Sequence, residues 1–182
     1  TTLLKAMPRI EEVNRIIEVL TSIGVSIMWE GDGIRISPPK TFRLHSIDRE
    51  AGMKTRSIIL LLGALSGRLS HYSVPYPGGC AFGKRTVMPN VLSLQELGLA
   101  ISIAKNYFVM NSTKRKARKI VMYEASDIGT ENALFAAASI PGTYGIENYL
   151  AAGGGCSADS AFDVVIIDMA ATADAGSGAA LC

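Results

Sequence analysis

The chain has 182 residues, 48% of them hydrophobic and 19% charged, with 18 basic and 16 acidic side chains and a net charge of +2. That apolar share supports one sizeable core and excludes a disordered chain, while the charge balance is too even to argue for nucleic acid. Three cysteines without a framework spacing, no Cys-x-x-Cys pair and only two histidines give no disulfide framework, argue against a zinc site and fit a reducing, cytoplasmic setting.

In chain order, Leu3 and Leu4 form a short apolar start, and Pro8 sits where a helix first turn tolerates it. Val13, Ile16, Ile17 and Leu20 make the stripe of an amphipathic helix. Glu11 and Glu12 lie in its first turn and Gly24 is its stop. Val25, Ile27 and Trp29 alternate as a strand. The segment 30–33 turns, and Ile34 to Ile36 return. Residues 40–52 read as a loop or an irregular strand. The stretch from Arg56 to Leu69 reads as a second helix, apolar nearly all round and therefore buried. Its uncharged run, 57–67, is too short to cross a bilayer. No basic region followed by an apolar block opens the chain, so neither a membrane span nor a signal peptide is expected.

Tyr72 to Val74 reads as a strand leading into Pro77-Gly78-Gly79-Cys80-Ala81-Phe82-Gly83-Lys84-Arg85. This loop holds a thiol among glycines, with two cations four and five positions later. Glycines let a backbone approach a ligand or swing as a lid. Positive charge favours a thiolate, so Cys80 is placed to react, and Lys84 and Arg85 are placed to hold an anion beside it. The competing reading is a glycine-rich turn with an incidental cysteine.

Pro89 to Leu97 reads as a third helix stopped by Gly98. Leu99, Ile101 and Ile103 alternate, Lys105-Asn106 turns, and Tyr107 to Met110 return. Residues 22–27 and 96–101 match at an offset of 74, so two helix–glycine–strand–turn–strand units are expected to stack around one core. Lys114 to Lys119 holds five basic residues in six, without interleaved aromatics. A solvated turn accounts for it better than a phosphate or nucleic-acid patch. Ile120 to Tyr123 reads as a strand, Thr130 to Ser139 as a helix and Thr143 to Asn148 as a strand. Residues 149–182 turn rich in Ala, Gly, Ser and Asp, with only Val164 to Ile167 reading as a strand. Cys156 follows three glycines but has no cation in the next ten residues.

Four features together resemble the enolpyruvyl transferases, and among them the branch that uses UDP-N-acetylglucosamine as acceptor. They are Met7-Pro8-Arg9-Ile10-Glu11-Glu12-Val13 with its helix, and Arg56-Ser57 opening an apolar helix. The others are Pro77-Gly78-Gly79-Cys80 with Arg85, and Gly129-Thr130-Glu131-Asn132-Ala133-Leu134. The resemblance covers residues 1 to about 148 and implies an α/β, inside-out, barrel-like domain of repeated αββ units, here incomplete. It divides the chain into a cysteine-loop domain, 1–148, and an Ala/Gly-rich tail, 149–182.

It also implies enolpyruvyl transfer from phosphoenolpyruvate to the 3-hydroxyl of UDP-N-acetylglucosamine, with phosphate released. That reaction makes a peptidoglycan precursor for the cell wall. No cofactor, metal, nucleic acid or membrane is implied. Cys80 matches the family's reactive cysteine, the target of fosfomycin. Arg56 and Arg85 match substrate-binding arginines. Thr86, Val87, Met88 and Pro89 match a nucleotide-contacting loop, and Glu124, Ala125, Ser126 and Asp127 match a diphosphate or ribose site. Gly78, Gly79 and Lys84 would support the loop. Ser126 is equally a plain helix cap, and Arg56 a helix-end cation. The family's Lys-Asn phosphoenolpyruvate segment and its second domain, with a general-base Asp, have no counterpart in these residues, so another domain or chain would complete the site. A shikimate-phosphate acceptor is the nearest alternative, against which Cys80 argues. A non-catalytic binding module is the alternative of another class.

Overall fold

The computed structural model describes residues 1–78, 86–122, 126–150 and 161–169, with only the backbone course at 143–144, 147–150 and 161–169. Its elements are β1 (Thr2–Leu4), α1 (Glu11–Ser22), β2 (Ser26–Glu30), β3 (Gly33–Ser37), a 3-10 turn (Leu44–Ser46), α2 (Arg49–Met53) and a second 3-10 turn (Ser57–Leu60). Then come α3 (Leu61–Ala64), β4 (His71–Pro75), α4 (Met88–Glu96), β5 (Ala100–Ala104), β6 (Tyr107–Asn111), β7 (Lys119–Val121), α5 (Asp127–Ala137), β8 (Gly142–Leu150) and β9 (Ala161–Met169). The strands form three small sheets, ordered β1-β3-β2, β4-β6-β5 and β7-β8-β9. All pairings are antiparallel except β7 with β8, which runs parallel.

The internal repeat is realised residue for residue. β2 and β3 shifted by 74 give the bounds of β5 and β6. Both preceding helices end in the same cap, with Gly24 at φ +100° and Gly98 at φ +84°. The Gly24 and Gly98 amides donate to Thr21 and Gln95 at 2.9 Å, and those of Val25 and Leu99 to Leu20 and Leu94 at 3.0 and 3.1 Å. Only glycine enters that left-handed region without steric cost, which is why a glycine marks each helix end. The hairpins turn at Gly31 and at Lys105-Asn106, again with positive φ.

The helices α3, α4 and α5 pack together in one apolar core, with the second sheet against them. Phe108, Ile58, Ile59, Leu62, Leu94, Leu97, Leu99, Met110, Ile120 and Ile146 are fully buried there. Each Leu or Ile so buried contributes about 1.5–3 kcal/mol. The stripe on α1 behaves differently. Val19 is the fully buried residue of this helix, whereas Val13, Ile16, Ile17 and Leu20 are half-buried and line an apolar cavity of about 200 Å³ against β1, β2 and β3. Their counterparts at the offset of 74, Val87, Asn90, Val91 and Leu94, are all buried, because α5 lies over α4.

Two expected elements take another form. The segment 40–52 contains α2, capped by Asp48, whose Oδ1 accepts from the Ala51 amide at 2.9 Å, while its own amide donates to Ser22 Oγ at 2.8 Å. The second helix is shorter than expected: a 3-10 turn and a single turn of α-helix. Its ladder is interrupted by Asn132 of α5, which donates from Nδ2 to the Ile59 carbonyl (3.0 Å) and accepts at Oδ1 from the Gly63 amide (2.7 Å). One side-chain amide thus takes both ends of an i, i+4 helical link. The last strands are longer than expected, since β8 and β9 pair along their whole lengths.

Candidate functional site

Arg56 lies at the end of the buried segment that opens the second 3-10 turn, and it reaches thirty residues along the chain. Its Nη2 donates to the Thr86 carbonyl at 2.6 Å. Thr86 Oγ1 in turn accepts from the Met88 amide at 3.1 Å and so starts α4. Pro89 stands in the first turn of α4, where its missing N–H costs nothing. Two of the expected binding positions, far apart in sequence, are therefore brought into direct contact.

The four residues of the expected nucleotide loop are not equivalent. Thr86 is exposed and Met88 is 41% exposed, but Val87 and Pro89 point into the core. The side chains of Val87 and Pro89 hold the loop down, and only their backbone groups remain to meet a ligand. Asn90, next in line, is 1% exposed and accepts at Oδ1 from Asn132 at 3.1 Å.

Ser126 caps α5: its Oγ accepts from the Gly129 amide at 3.1 Å, and its carbonyl accepts from Thr130 Oγ1 at 2.8 Å. Asp127 follows, exposed, in the first turn, where the helix dipole favours it. A Cβ at Gly129 would stand 3.1 Å from Pro89, so α4 and α5 begin side by side. Gly78 is required for packing, because a Cβ there would lie 2.1 Å from the Met53 carbonyl oxygen. Gly79, Cys80, Lys84, Arg85, Glu124 and Ala125 lie outside the described residues.

Two further residues of the region, Asn132 and Glu12, lie inside the family-like motifs but have no expected role there. Asn132 ties the 3-10 turn behind Arg56, α4 behind Thr86 and α5 behind Ser126 to one another through three hydrogen bonds. Glu12 of α1 accepts at Oε1 from both hydroxyls that flank Arg56, those of Thr55 and Ser57, the latter at 2.5 Å. One clue to Asn132 was its type: an amide amid the apolar residues of a buried helix needs buried partners. Glu12 gave no such clue, since its partners lie more than forty residues away.

The basic run 114–119 is a connector laid across the end of α4. Arg118 pairs with Glu96 at 3.1 Å, Arg115 donates to the Ser112 carbonyl and to Ser139 Oγ, and the Lys116 amide donates to the Leu97 carbonyl. The cavity beside α1 carries one charged group, Glu12, among nine apolar side chains, so it does not suit an anion. Among the described residues, no cluster of His, Cys, Asp or Glu is arranged to hold a metal ion, and no helix is long and apolar enough to cross a membrane.

The repeated units, inner helices and outer sheets define an enolpyruvyl transferase fold. It is shared with the enolpyruvyl transferase NikO from Streptomyces tendae (TM-score 0.66, 14% identity, covering 81% of this chain and 35% of that one). It is shared also with an EPSP synthase from Acinetobacter baumannii (TM-score 0.57, 15% identity, covering 81% of this chain and 34% of that one). Residues 1–153 match the family model of EPSP synthase (3-phosphoshikimate 1-carboxyvinyltransferase), and the chain belongs to that family. Within it, the chain is similar to curated UDP-N-acetylglucosamine 1-carboxyvinyltransferases. One, from Cellvibrio japonicus, is 32% identical over 146 residues, and another, from Bradyrhizobium diazoefficiens, is 30% identical over 145. Each match covers 80% of this chain but only 35% and 33% of the relative, so the chain spans about a third of their length.

Proposed function

We propose that this chain supplies the cysteine-loop part of a UDP-N-acetylglucosamine 1-carboxyvinyltransferase. Residues 1–148 would form that domain; the Ala/Gly-rich stretch 149–182 would follow it, with β9 paired to β8 at its edge. The reading rests on the family membership. The observation that carries it is the contact between Arg56 and the Thr86 carbonyl, which joins two expected substrate-binding positions at the foot of the Cys80 loop.

In this reading Arg56 and Arg85 fork onto phosphate or carboxylate oxygens of the two anionic substrates. The amides at the start of α5, with Ser126 and Asp127, meet the diphosphate or ribose, with Glu124 and Ala125 beside them. Thr86 to Pro89 contribute backbone and the Thr86 and Met88 side chains. Cys80 delivers a proton to the methylene carbon of phosphoenolpyruvate as the sugar 3-hydroxyl oxygen bonds to the adjacent carbon. Loss of phosphate and of a proton from the former methylene then regenerates the enol ether. The base that takes the hydroxyl proton comes from a domain or chain beyond these residues. The setting would be the cytoplasm, and the chain would be a fosfomycin target in cell-wall synthesis. The family model's own description favours a second acceptor, shikimate 3-phosphate. A cysteine loop has no task in that reading.

The test is intact-mass labelling of the purified chain by fosfomycin, with and without UDP-N-acetylglucosamine, for the wild type and Cys80→Ser. A single adduct that needs Cys80 and forms faster with the sugar nucleotide is the expected result. Equal labelling of both proteins, or faster labelling with shikimate 3-phosphate instead, overturns the assignment.

A further inference from the structure

We infer that Glu12 is a positioning residue for Arg56, acting through the two hydroxyls on either side of it. Arg56 has a long side chain, and where its guanidinium lands depends on the backbone from 55 to 57. That backbone is closed into a ring. Thr55, 2% exposed, donates its hydroxyl proton to Glu12 Oε1, and its Oγ1 accepts from the Ser57 amide at 3.2 Å. Ser57 donates its own hydroxyl to the same Glu12 oxygen at 2.5 Å. A carboxylate is acceptor-only, so both hydroxyl protons turn toward it, and the Thr55 lone pair is left facing the Ser57 amide. The far end of the ring is α1, a separate element, so Arg56 is referenced to the first unit as well as to Thr86 in the second.

Glu11 provides the control. It is the other acid in the first turn of α1, and it pairs with Arg15 at 2.8 Å. Both acids complement the helix dipole, but only Glu12 holds Thr55 and Ser57.

The prediction is read on the whole chain with Glu12→Ala, Glu12→Gln and Glu11→Ala. The first readout, without ligand, is the order and solvent exchange of the Arg56 guanidinium by NMR. Glu12→Ala should speed that exchange about tenfold, Glu12→Gln should restore it within about twofold because the amide oxygen still accepts both hydroxyls, and Glu11→Ala should leave it unchanged. The second readout, which rests on the proposed function, is the Kd for UDP-N-acetylglucosamine. It should rise about tenfold in Glu12→Ala and recover in Glu12→Gln.

An Arg56 signal unchanged in Glu12→Ala overturns the inference. So does a Glu12→Gln protein that behaves like Glu12→Ala, since the role would then be one of charge. If the wild type and Arg56→Ala are equally blind to the sugar nucleotide, the proposed function fails instead, and the ligand-free readout alone decides the positioning role.

Discussion

Replacing Asn132 with alanine removes a side chain that joins three elements behind the candidate site. Asn132 is fully buried and makes three bonds: to the Ile59 carbonyl at 3.0 Å, to Asn90 Oδ1 at 3.1 Å, and from the Gly63 amide at 2.7 Å. Truncation leaves one buried donor and two buried acceptors without that partner. Each orphaned group costs about 1–3 kcal/mol, and relaxation of the neighbours returns part of it, so the expected loss is about 3–5 kcal/mol. Set against a typical total of about 5–15 kcal/mol, that moves the unfolding midpoint far outside error. Asn132→Leu, near in volume, should lose a similar amount, because the deficit is polar rather than steric. Gly63→Ala should also destabilise, since its Cβ would fall 2.2 Å from the Asn132 carbonyl oxygen and 2.5 Å from Oδ1. The assay is urea unfolding followed by far-UV circular dichroism and by Trp29 fluorescence, with the slope checked for constancy. A loss below about 1 kcal/mol in both Asn132 variants would refute the idea that this amide holds the elements together.

Three further outcomes follow from the same geometry. Gly98→Ala should cost more than Gly24→Ala: both have positive φ, but a Cβ at Gly98 meets the Lys114 carbonyl oxygen at 2.3 Å, while one at Gly24 meets nothing nearer than 3.4 Å. Thermal melts of the two variants give the comparison directly, and equal losses would show that φ alone matters. Burial pushes the Tyr72 phenol above its ordinary range, and the hydroxyl donates to the Leu62 carbonyl. A raised value in the fold means that the contribution is complete below the unfolded pKa of about 10 and is lost as pH climbs above it. Phenolate absorbance should therefore show one tyrosine titrating late, and Tyr72→Phe should flatten the alkaline loss of stability.

The local rules were legible in the sequence wherever the cause was itself local. Gly24 and Gly98 stop their helices because a left-handed residue is needed there, and the alternation of Val25, Ile27 and Trp29 marks β2, whose half-buried and exposed positions alternate in the fold. The repeat at 74 could be read for the same reason: each unit carries its own helix, cap and hairpin. The resemblance named Arg56 and Thr86 as candidates, but nothing along the chain said that the guanidinium would meet that carbonyl. The segment from Arg56 to Leu69 looked like one helix because apolar residues on all sides carry no mark of an interruption. Its length is decided by Asn132, which arrives from α5.

The same division separates the two stripes. Val13, Ile16, Ile17 and Leu20 have the spacing of a core face, as do Val87, Asn90, Val91 and Leu94, and spacing alone makes them equal. The tertiary structure makes them unequal, because α5 lies over α4 and leaves the face of α1 lining a cavity. Glu12 belongs to the same class of fact. Periodicity places it correctly in the first turn of a helix, and only the approach of Thr55 and Ser57 from another element gives its carboxylate something to hold. Sequence sets what each short segment can form, since dihedral preference and alternation act within a few residues. Which face is covered, and which polar group finds its partner, waits on elements more than forty residues apart coming together.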